Sequence, residues 1–577
     1  MKFSTVTSVF SEIQITSSRL EMTTKLADLF AQANPQEARI LAYMSLGTLQ
    51  PPYGGMQFNI SEKTMLTVVA RTCDLEESEA KKLAQAKGDW GTVVMQHKVS
   101  GADDVTVTQL YDQLSAIEYV GGAGSQEKKI ALLVDLLKKI TPQEALYVVR
   151  MVLGRLRLGF SDMTLIDALS WMIGGDKSLR ATIEDAYNVC ADIGLIAQTI
   201  KERGIDGIRQ MHIVVGIPIR PAAAERLPSP AAVVAKLGHC VAQPKLDGFR
   251  VQIHIDNKNN SIRFFSRNLL DMSSMFPDLV TYLKTIPVDT LIVEGEAIAY
   301  DPDTNNFLPF QETVKRKRKH AIDQAAEEIP LKLFLFDLLY LNGVEYLTKT
   351  HQERRAMLLD VLKNMAHEHI QVIEEKPITT SIELEHYFLE NITAGLEGLV
   401  VKRENALYQP GKRNFNWIKV KRHKEGELDD TIDCVVLGYY AGKGKRAQFG
   451  IGAFLVGVYN KKSDQFETIA KIGTGLSDIE WKSLKKQCDK GSVAHKPINV
   501  VCAKELFPDC WVEPSIVCVV RADEITLSPL HTAGKTIDNL GYALRFPRIM
   551  GYRDDKSIYD CTEISEIKEL YAIQYKN

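Results

Sequence analysis

A chain of 577 residues, 45% hydrophobic and 25% charged, is longer than one hydrophobic core usually serves and predicts three or four domains. That balance excludes collagen-like, mucin-like and wholly disordered chains, and no apolar run nears the roughly 18–20 residues of a membrane-spanning helix. The formal charge is −3, from 70 Lys+Arg against 73 Asp+Glu, so a nucleic-acid partner requires basic residues segregated onto one surface.

In chain order, residues 1 to about 215 read as helices. Apolar positions recur at spacings of three and four in Leu20–Leu29 and Ile130–Leu137. One helix start is explicit: Thr141 as N-cap, Pro142 at the first helical position and Glu144 in the first turn. The opening residues show no uninterrupted apolar segment and no cleavage-site pattern, so no signal peptide is expected.

The pattern changes after Pro221. Val251, Ile253 and Ile255 alternate with Gln252, His254 and Asp256, Asn257–Asn260 turn, and Ile262–Phe265 follow as the second arm of a hairpin. Leu291–Ala299, Leu331–Leu339, Leu399–Lys402 and Trp417–Val420 are strand-like, with a helix over Gln352–Asn364. Residues 216–424 are thus expected to be mixed α+β. The polar run Lys424–Asp430 reads as a hinge. Within 425–577, the short runs Ile432–Tyr440, Phe454–Tyr459 and Ser515–Val520 suit a small β-barrel.

Nine cysteines are scattered without any C-x-x-C, which predicts free thiols rather than a zinc ribbon or a disulfide framework. Residues 411–424 hold Lys412, Arg413, Lys419, Lys421, Arg422 and Lys424 and no acid, a basic surface suited to phosphates. Lys315–Lys319 form a second basic block, which a solvated face or a targeting signal explains about as well as phosphate contact.

The chemistry concentrates at Lys245-Leu246-Asp247-Gly248-Phe249-Arg250, after Gln243-Pro244. An amine attacks phosphorus only once deprotonated, which desolvation or nearby positive charge favours. Period-two alternation puts Glu294 and Glu296 on one strand face, where paired carboxylates suit a sugar hydroxyl or a metal. The same rule puts Trp417, Lys419 and Lys421 together, with Ile418 and Val420 opposite.

The lysine run resembles the nucleotidyltransferase motif of ATP-dependent DNA ligases, and further family motifs follow in order. They are Ser266-Arg267-Asn268, Glu294-Gly295-Glu296, Phe336-Asp337, Glu397 to Lys402, Trp417 to Lys421, and Arg553-Asp554-Asp555-Lys556, introduced by Leu544 to Arg548. Leu153-Gly154-Arg155-Leu156-Arg157-Leu158-Gly159 resembles the family's DNA-binding loop. The resemblance covers essentially the whole chain and is nearest the archaeal and eukaryotic replicative type.

The resemblance implies three domains: an all-α DNA-binding domain (1–215), an α+β nucleotidyltransferase domain (216–424) and a C-terminal OB-fold barrel (425–577). It implies Lys245 as the nucleophile that takes AMP from ATP, with nicked duplex DNA as the partner and Mg²⁺ as the divalent metal near Glu296 and Glu397. Gln243, Arg250, Arg267, Glu296, Phe336, Arg413, Lys419 and Lys421 match nucleotide-binding positions, with Phe336 stacking on adenine. Arg553 and Lys556 match the residues that orient pyrophosphate, and Arg155 and Arg157 match DNA contacts. Gln243 departs from the family, which usually has Glu there to meet the adenine amino group.

The resemblance further implies a monomer around the duplex, acting in replication, repair and recombination, with a sliding clamp as a further candidate partner. The setting would be intracellular, cytoplasmic and nucleoid-associated in a prokaryote or nuclear in a eukaryote. An RNA-capping guanylyltransferase shares the lysine motif and barrel, and an inactive DNA-binding scaffold would keep the fold. The helical region with Arg155–Gly159 speaks against the first, and intact Lys245, Glu296, Glu397, Lys419 and Lys421 speak against the second.

Overall fold

The computed structural model describes the chain apart from residues 17, 56–57, 100, 102–103, 155, 228, 309–311, 314, 317–325, 364–367, 422–430, 443, 554–555 and 575–577. Two compact units form. One joins residues 1–68 with 98–423, the other residues 69–97 with 424–577. No helix among the described residues is long and apolar enough to cross a membrane.

Helices account for the regular structure up to Arg209. The start expected at Thr141 is present as a full capping box: its hydroxyl accepts from the Glu144 N–H, and Glu144 returns a bond to the Thr141 N–H at 2.8 Å. The 20–29 and 130–137 periodicities lie within Arg19–Gln32 and Ser125–Lys139. Asp192 caps the helix Ile193–Arg209 and accepts from the Tyr43 and Tyr53 hydroxyls, each at 2.6 Å. A Cβ at Gly194 would lie 2.3 Å from the Tyr43 ring, so this close packing requires glycine.

The mixed region builds two sheets from β1 (Ala223–Arg226), β2 (Cys240–Lys245), β3 (Phe249–Asp256), β4 (Ser261–Ser266), β5 (Thr290–Ala299), β6 (Leu331–Leu341), β7 (Val344–Glu345), β8 (Ile370–Val372), β9 (Lys376–Ile378), β10 (Gly398–Lys402) and β11 (Arg413–Lys421). One sheet has the order β1-β11-β10-β2-β9. The other has the order β4-β3-β5-β6-β7, with β8 also paired to β6. The expected hairpin is β3 and β4, with Ile255 opposite Ile262.

Each sheet buries one face in its own core. In the first, Ala242, Leu399, Val401, Ile418 and Val420 pack on Val233, Leu237, Leu384 and Tyr387 of the helices Pro230–Leu237 and Ser381–Thr393. In the second, Val251, Ile253, Val293, Leu333 and Leu335 pack on Phe276, Leu279 and Leu358. The opposite faces carry the polar residues.

The alternation in β3 predicts a polar outer face, and the structure differs there. Gln252 and His254 are buried, because the segment 213–222 lies over them and uses them as backbone partners. Gln252 accepts from the Ile219 N–H at 2.8 Å and donates to the Ile219 carbonyl at 3.0 Å. His254 Nδ1 accepts from the Gly216 N–H at 2.9 Å, and burial lowers this imidazole to about 3.

In the other unit, β12 (Ile432–Tyr440), β13 (Ala453–Asn460) and β14 (Gln465–Ile472) pair in sequence, within an eight-stranded sheet that branches at β12. The described pairings form a branched path. The expected hinge at 424–430 lies outside the described residues. All nine cysteines are free thiols, seven of them buried.

Candidate active site between two sheets

The polar faces of the two sheets line a cavity of about 550 Å³. Strand register orders the first sheet's wall. Lys245 pairs with Gly398 and Gln243 with Val400, while Val400 also pairs with Lys419 and Lys402 with Trp417. Rows two residues apart lie about 6.8 Å apart along the strands, so Lys245, the Gln243–Val400–Lys419 row and the Lys402–Trp417 pair follow one another across one surface.

Lys245 ends β2, and its Nζ donates to the Glu397 carboxylate. The Glu397 N–H in turn donates to the Lys245 carbonyl at 3.0 Å, so backbone pairing fixes the two residues against each other. Gly248 is required here by close approach: a Cβ would lie 2.6 Å from the Ala297 carbonyl oxygen and 2.9 Å from Glu296 Cγ. The loop after the lysine therefore sits directly on β5.

Glu296 faces the cavity from β5. Burial pushes its carboxyl up to about 7, against the pull of Lys245 and Arg250, and the negative charges of Glu397 and Asp247 add to the rise. Such a carboxyl lacks full positive compensation. A cation supplies such charge, and a hydroxyl donates a hydrogen bond to such a carboxylate.

Glu294 shares that face but meets a different end. It is 1% exposed and accepts from Arg250 Nη2 at 3.0 and 3.1 Å, from the Tyr408 hydroxyl at 2.9 Å and from Gln252 at 3.4 Å. Sequence alternation pairs the two carboxylates as site groups, whereas the structure gives only Glu296 to the cavity. Arg250 also donates to the Ala222 carbonyl at 2.8 Å, and its guanidinium lies 5.5 Å from the Phe336 and Trp417 ring centres. Phe336 lines the cavity and meets Trp417 edge to face at 6.1 Å.

The other expected residues divide. Arg267 lines the cavity from the loop after β4, and Lys419 lines it from β11. Arg413 is exposed at the start of β11 and is not part of the cavity lining. The Lys421 side chain and Arg155 lie outside the described residues. Arg157 adopts a left-handed backbone, φ 64°, between buried Leu156 and Leu158, a conformation costly for a residue with a Cβ. Arg553 and Lys556 both meet Asp433, at 3.6 and 2.6 Å. In the second basic block, Arg316 is buried against the Met275 and Ile329 carbonyls and Asp278, so it is architectural.

Three further residues shape the site. Lys402 lines the cavity although only 1% exposed, donates to the Phe336 carbonyl at 3.1 Å and sits 4.4 Å from the Trp417 ring centre. Burial lowers it to about 8, against the attraction of Asp337. Gln243 donates to Glu375 at 2.7 Å, and Glu375 meets His351 Nε2 at 2.8 Å. Lys402 was visible in its motif as the end of an apolar run; Glu375 and His351 carry no local signal.

Comparison with known proteins places the chain in a family. Residues 2–170 match the family described as DNA ligase N terminus, 221–421 the ATP dependent DNA ligase domain and 447–556 the ATP dependent DNA ligase C terminal region. A probable DNA ligase of Dictyoglomus turgidum is 44% identical over 580 residues, covering 100% of this chain and 98% of the relative. The chain belongs to the ATP-dependent DNA ligase family.

A DNA ligase of Saccharolobus solfataricus is 37% identical over 598 residues, with 100% of this ligase and 98% of that one covered. Among solved structures, one titled Pmar-Lig_PreS3 superimposes with a TM-score of 0.56 at 17% identity, over 95% of this chain and 99% of that chain. At that identity the likeness concerns the fold.

Proposed function

We propose that this enzyme seals nicks in duplex DNA through an AMP carried on Lys245. The observation that carries the reading is Lys245 at the wall of the cavity, hydrogen-bonded to Glu397 and beside Glu296, with Lys419 on the same sheet face. The amine first passes a proton to a base, and Glu397 is the carboxylate in hydrogen-bond contact with it. Nζ then attacks the α-phosphorus of ATP. A P–N bond forms, the bond to the β-phosphate oxygen breaks, and pyrophosphate leaves. An oxygen of the 5′-phosphate at the nick displaces Lys245 from AMP, and the 3′-hydroxyl finally displaces AMP to form the phosphodiester.

Each side chain has a task in that sequence. Lys419 stabilises charge on the α-phosphate, with Lys421 beside it on the strand, and Phe336 provides the stacking surface for the base. Arg250 and Arg267 flank the nucleotide, while Arg413 lies at the margin. Arg553 and Lys556 orient the departing pyrophosphate from the C-terminal region; their present partner Asp433 is then exchanged for phosphate. Arg155 and Arg157 hold the DNA backbone.

The residues also suit a divalent cation. Among the described residues no cluster of three or more possible ligands occurs, and Mg²⁺ is commonly held by one or two carboxylates with water and substrate phosphates completing its shell. Glu296 and Glu397 would be those carboxylates. When bound, Mg²⁺ would neutralise charge on the triphosphate.

The test is intact-protein and peptide mass spectrometry after incubation with ATP and Mg²⁺. The expected result is AMP linked to the peptide containing Lys245. Labelling from GTP but not from ATP would favour a capping enzyme, and no nucleotide adduct at all would favour an inactive scaffold.

A further inference from the structure

At position 243 the family's usual carboxylate is an amide, and an amide can turn either its acceptor or its donor toward a base. This ligase resolves the ambiguity from behind. Gln243 lines the cavity yet is only 2% exposed, and it sits at the end of the Lys419–Val400–Gln243 row. Its Nε2 donates to Glu375 Oε2 at 2.7 Å. A carboxylate can only accept, so the amide NH₂ must face Glu375 and the carbonyl oxygen must face away from it.

The carboxylate is itself held. His351 Nε2 approaches the same Glu375 oxygen at 2.8 Å, so Nε2 carries the ring proton and donates. His351 is 1% exposed, and its Nδ1 has no hydrogen-bond partner among the described residues. Burial would raise the Glu375 carboxyl, but the His351 hydrogen bond and nearby Lys402 and Arg355 hold it below its ordinary range. Glu375 is therefore available as an acceptor under ordinary conditions.

Resting on the nucleotide-site reading above, we propose that Glu375, fixed by His351, is a positioning residue that locks the Gln243 amide with its carbonyl toward the base, selecting adenine over guanine. The 6-amino group of adenine donates to such a carbonyl, while the 6-oxo group of guanine meets it acceptor to acceptor. The pair thereby does the work of the single glutamate usual in the family. Were the amide released, it could rotate and donate to guanine O6, and discrimination would fall. The lock acts on base choice, not on the chemistry at Lys245.

The experiment measures lysyl-nucleotide formation from competing ATP and GTP, with thermal melting to follow folding. Glu375→Ala should lower the ATP-to-GTP ratio by about ten- to a hundredfold, through a higher KM for ATP and a gain in GTP labelling. Gln243→Glu alone should weaken ATP use, since two carboxylates then meet at this contact. Adding Glu375→Gln to Gln243→Glu should restore the ratio, because the amide at 375 then donates to the carboxylate at 243.

An unchanged ratio in a folded Glu375→Ala protein would overturn the proposal. So would failure of the exchanged pair to improve on Gln243→Glu, a comparison that stands even if the alanine variant does not fold. Gln243→Ala separates the two levels: if it leaves the ratio intact, Gln243 does not read the base and the site reading itself fails. If it abolishes selectivity while Glu375→Ala keeps it, only the lock is wrong.

Discussion

Two charged clusters centre on glutamates two residues apart on β5, of which only Glu296 lines the cavity. Around Glu294, every oxygen has protein partners: Arg250 twice, Tyr408 and Gln252. Around Glu296, Lys245 and Arg250 supply attraction, but Glu397 and Asp247 oppose it, and the carboxyl rises to about 7. The first cluster is complete in the protein alone. The second is left with opposed charges. Two glutamates on one strand face, two residues apart, thus divide into architecture and chemistry according to the partners that other strands bring to them.

The sharpest way to test this division is at the nucleophile of the second cluster. Lys245→Ala and Lys245→Arg should both lower covalent AMP attachment on the order of a thousandfold or more, since a guanidinium stays protonated. Sealing of a nick already adenylated at its 5′ end should persist in both. Amine-linked AMP on the alanine variant at the wild-type rate would remove Lys245 from the mechanism.

The complete cluster should answer in stability instead. Glu294→Gln leaves Arg250 without its charge partner and should cost about 3–5 kcal/mol in urea unfolding. A loss of adenylation with unchanged stability would place Glu294 among the chemical groups and erase the contrast.

Glu296→Gln should do the reverse. A carboxyl raised to about 7 binds protons more tightly folded than unfolded, so wild-type stability falls as pH rises from about 4.5 to about 7. The variant escapes that fall. It should be more stable than wild type by about 1–3 kcal/mol at pH 8, with the advantage vanishing near pH 4, while adenylation drops. Parallel melting curves of the two proteins from pH 4 to 8 would contradict the assignment.

The smallest effect belongs to the loop. Arg155→Ala with Arg157→Ala should weaken nick binding and reduce the slope of log affinity against log salt by about two, leaving self-adenylation near normal. Lost adenylation with intact DNA affinity would make the loop structural.

How much of this was legible beforehand follows from where each signal resides. The helix start at Thr141, the β3–β4 hairpin and the inward Ile418 and Val420 are local patterns of capping or periodicity, and they appear as read. The family motifs brought Lys245, Glu296, Phe336 and Lys419 to one cavity, because strand pairing preserves the face that alternation assigns. What alternation cannot see is the third dimension. The partners of Glu294 come from β3 and from Tyr408, the acceptor behind Gln243 lies 132 positions away, and the polar face of β3 is covered by a segment without strand pattern. At Gly248 the requirement is contact with Ala297 on another strand, which no local pattern shows.

The segment 213–222 carries its own consequence. It runs from the helices to β1, and its backbone is stitched to side chains: Ile213 to Glu345, Gly216 to His254, Ile219 to Gln252 and Ala222 to Tyr408. Amide hydrogens at these four positions should therefore exchange slowly, like those of a strand, although no sheet ladder protects them. Two acceptors lie on β3, Glu345 on β7 and Tyr408 between β10 and β11, so the spacing between donors is set to the residue. An inserted residue would throw every stitch beyond it out of step, as a missed tooth does in a zip. A passage that looks like a spacer on paper has in this fold the length tolerance of a core strand.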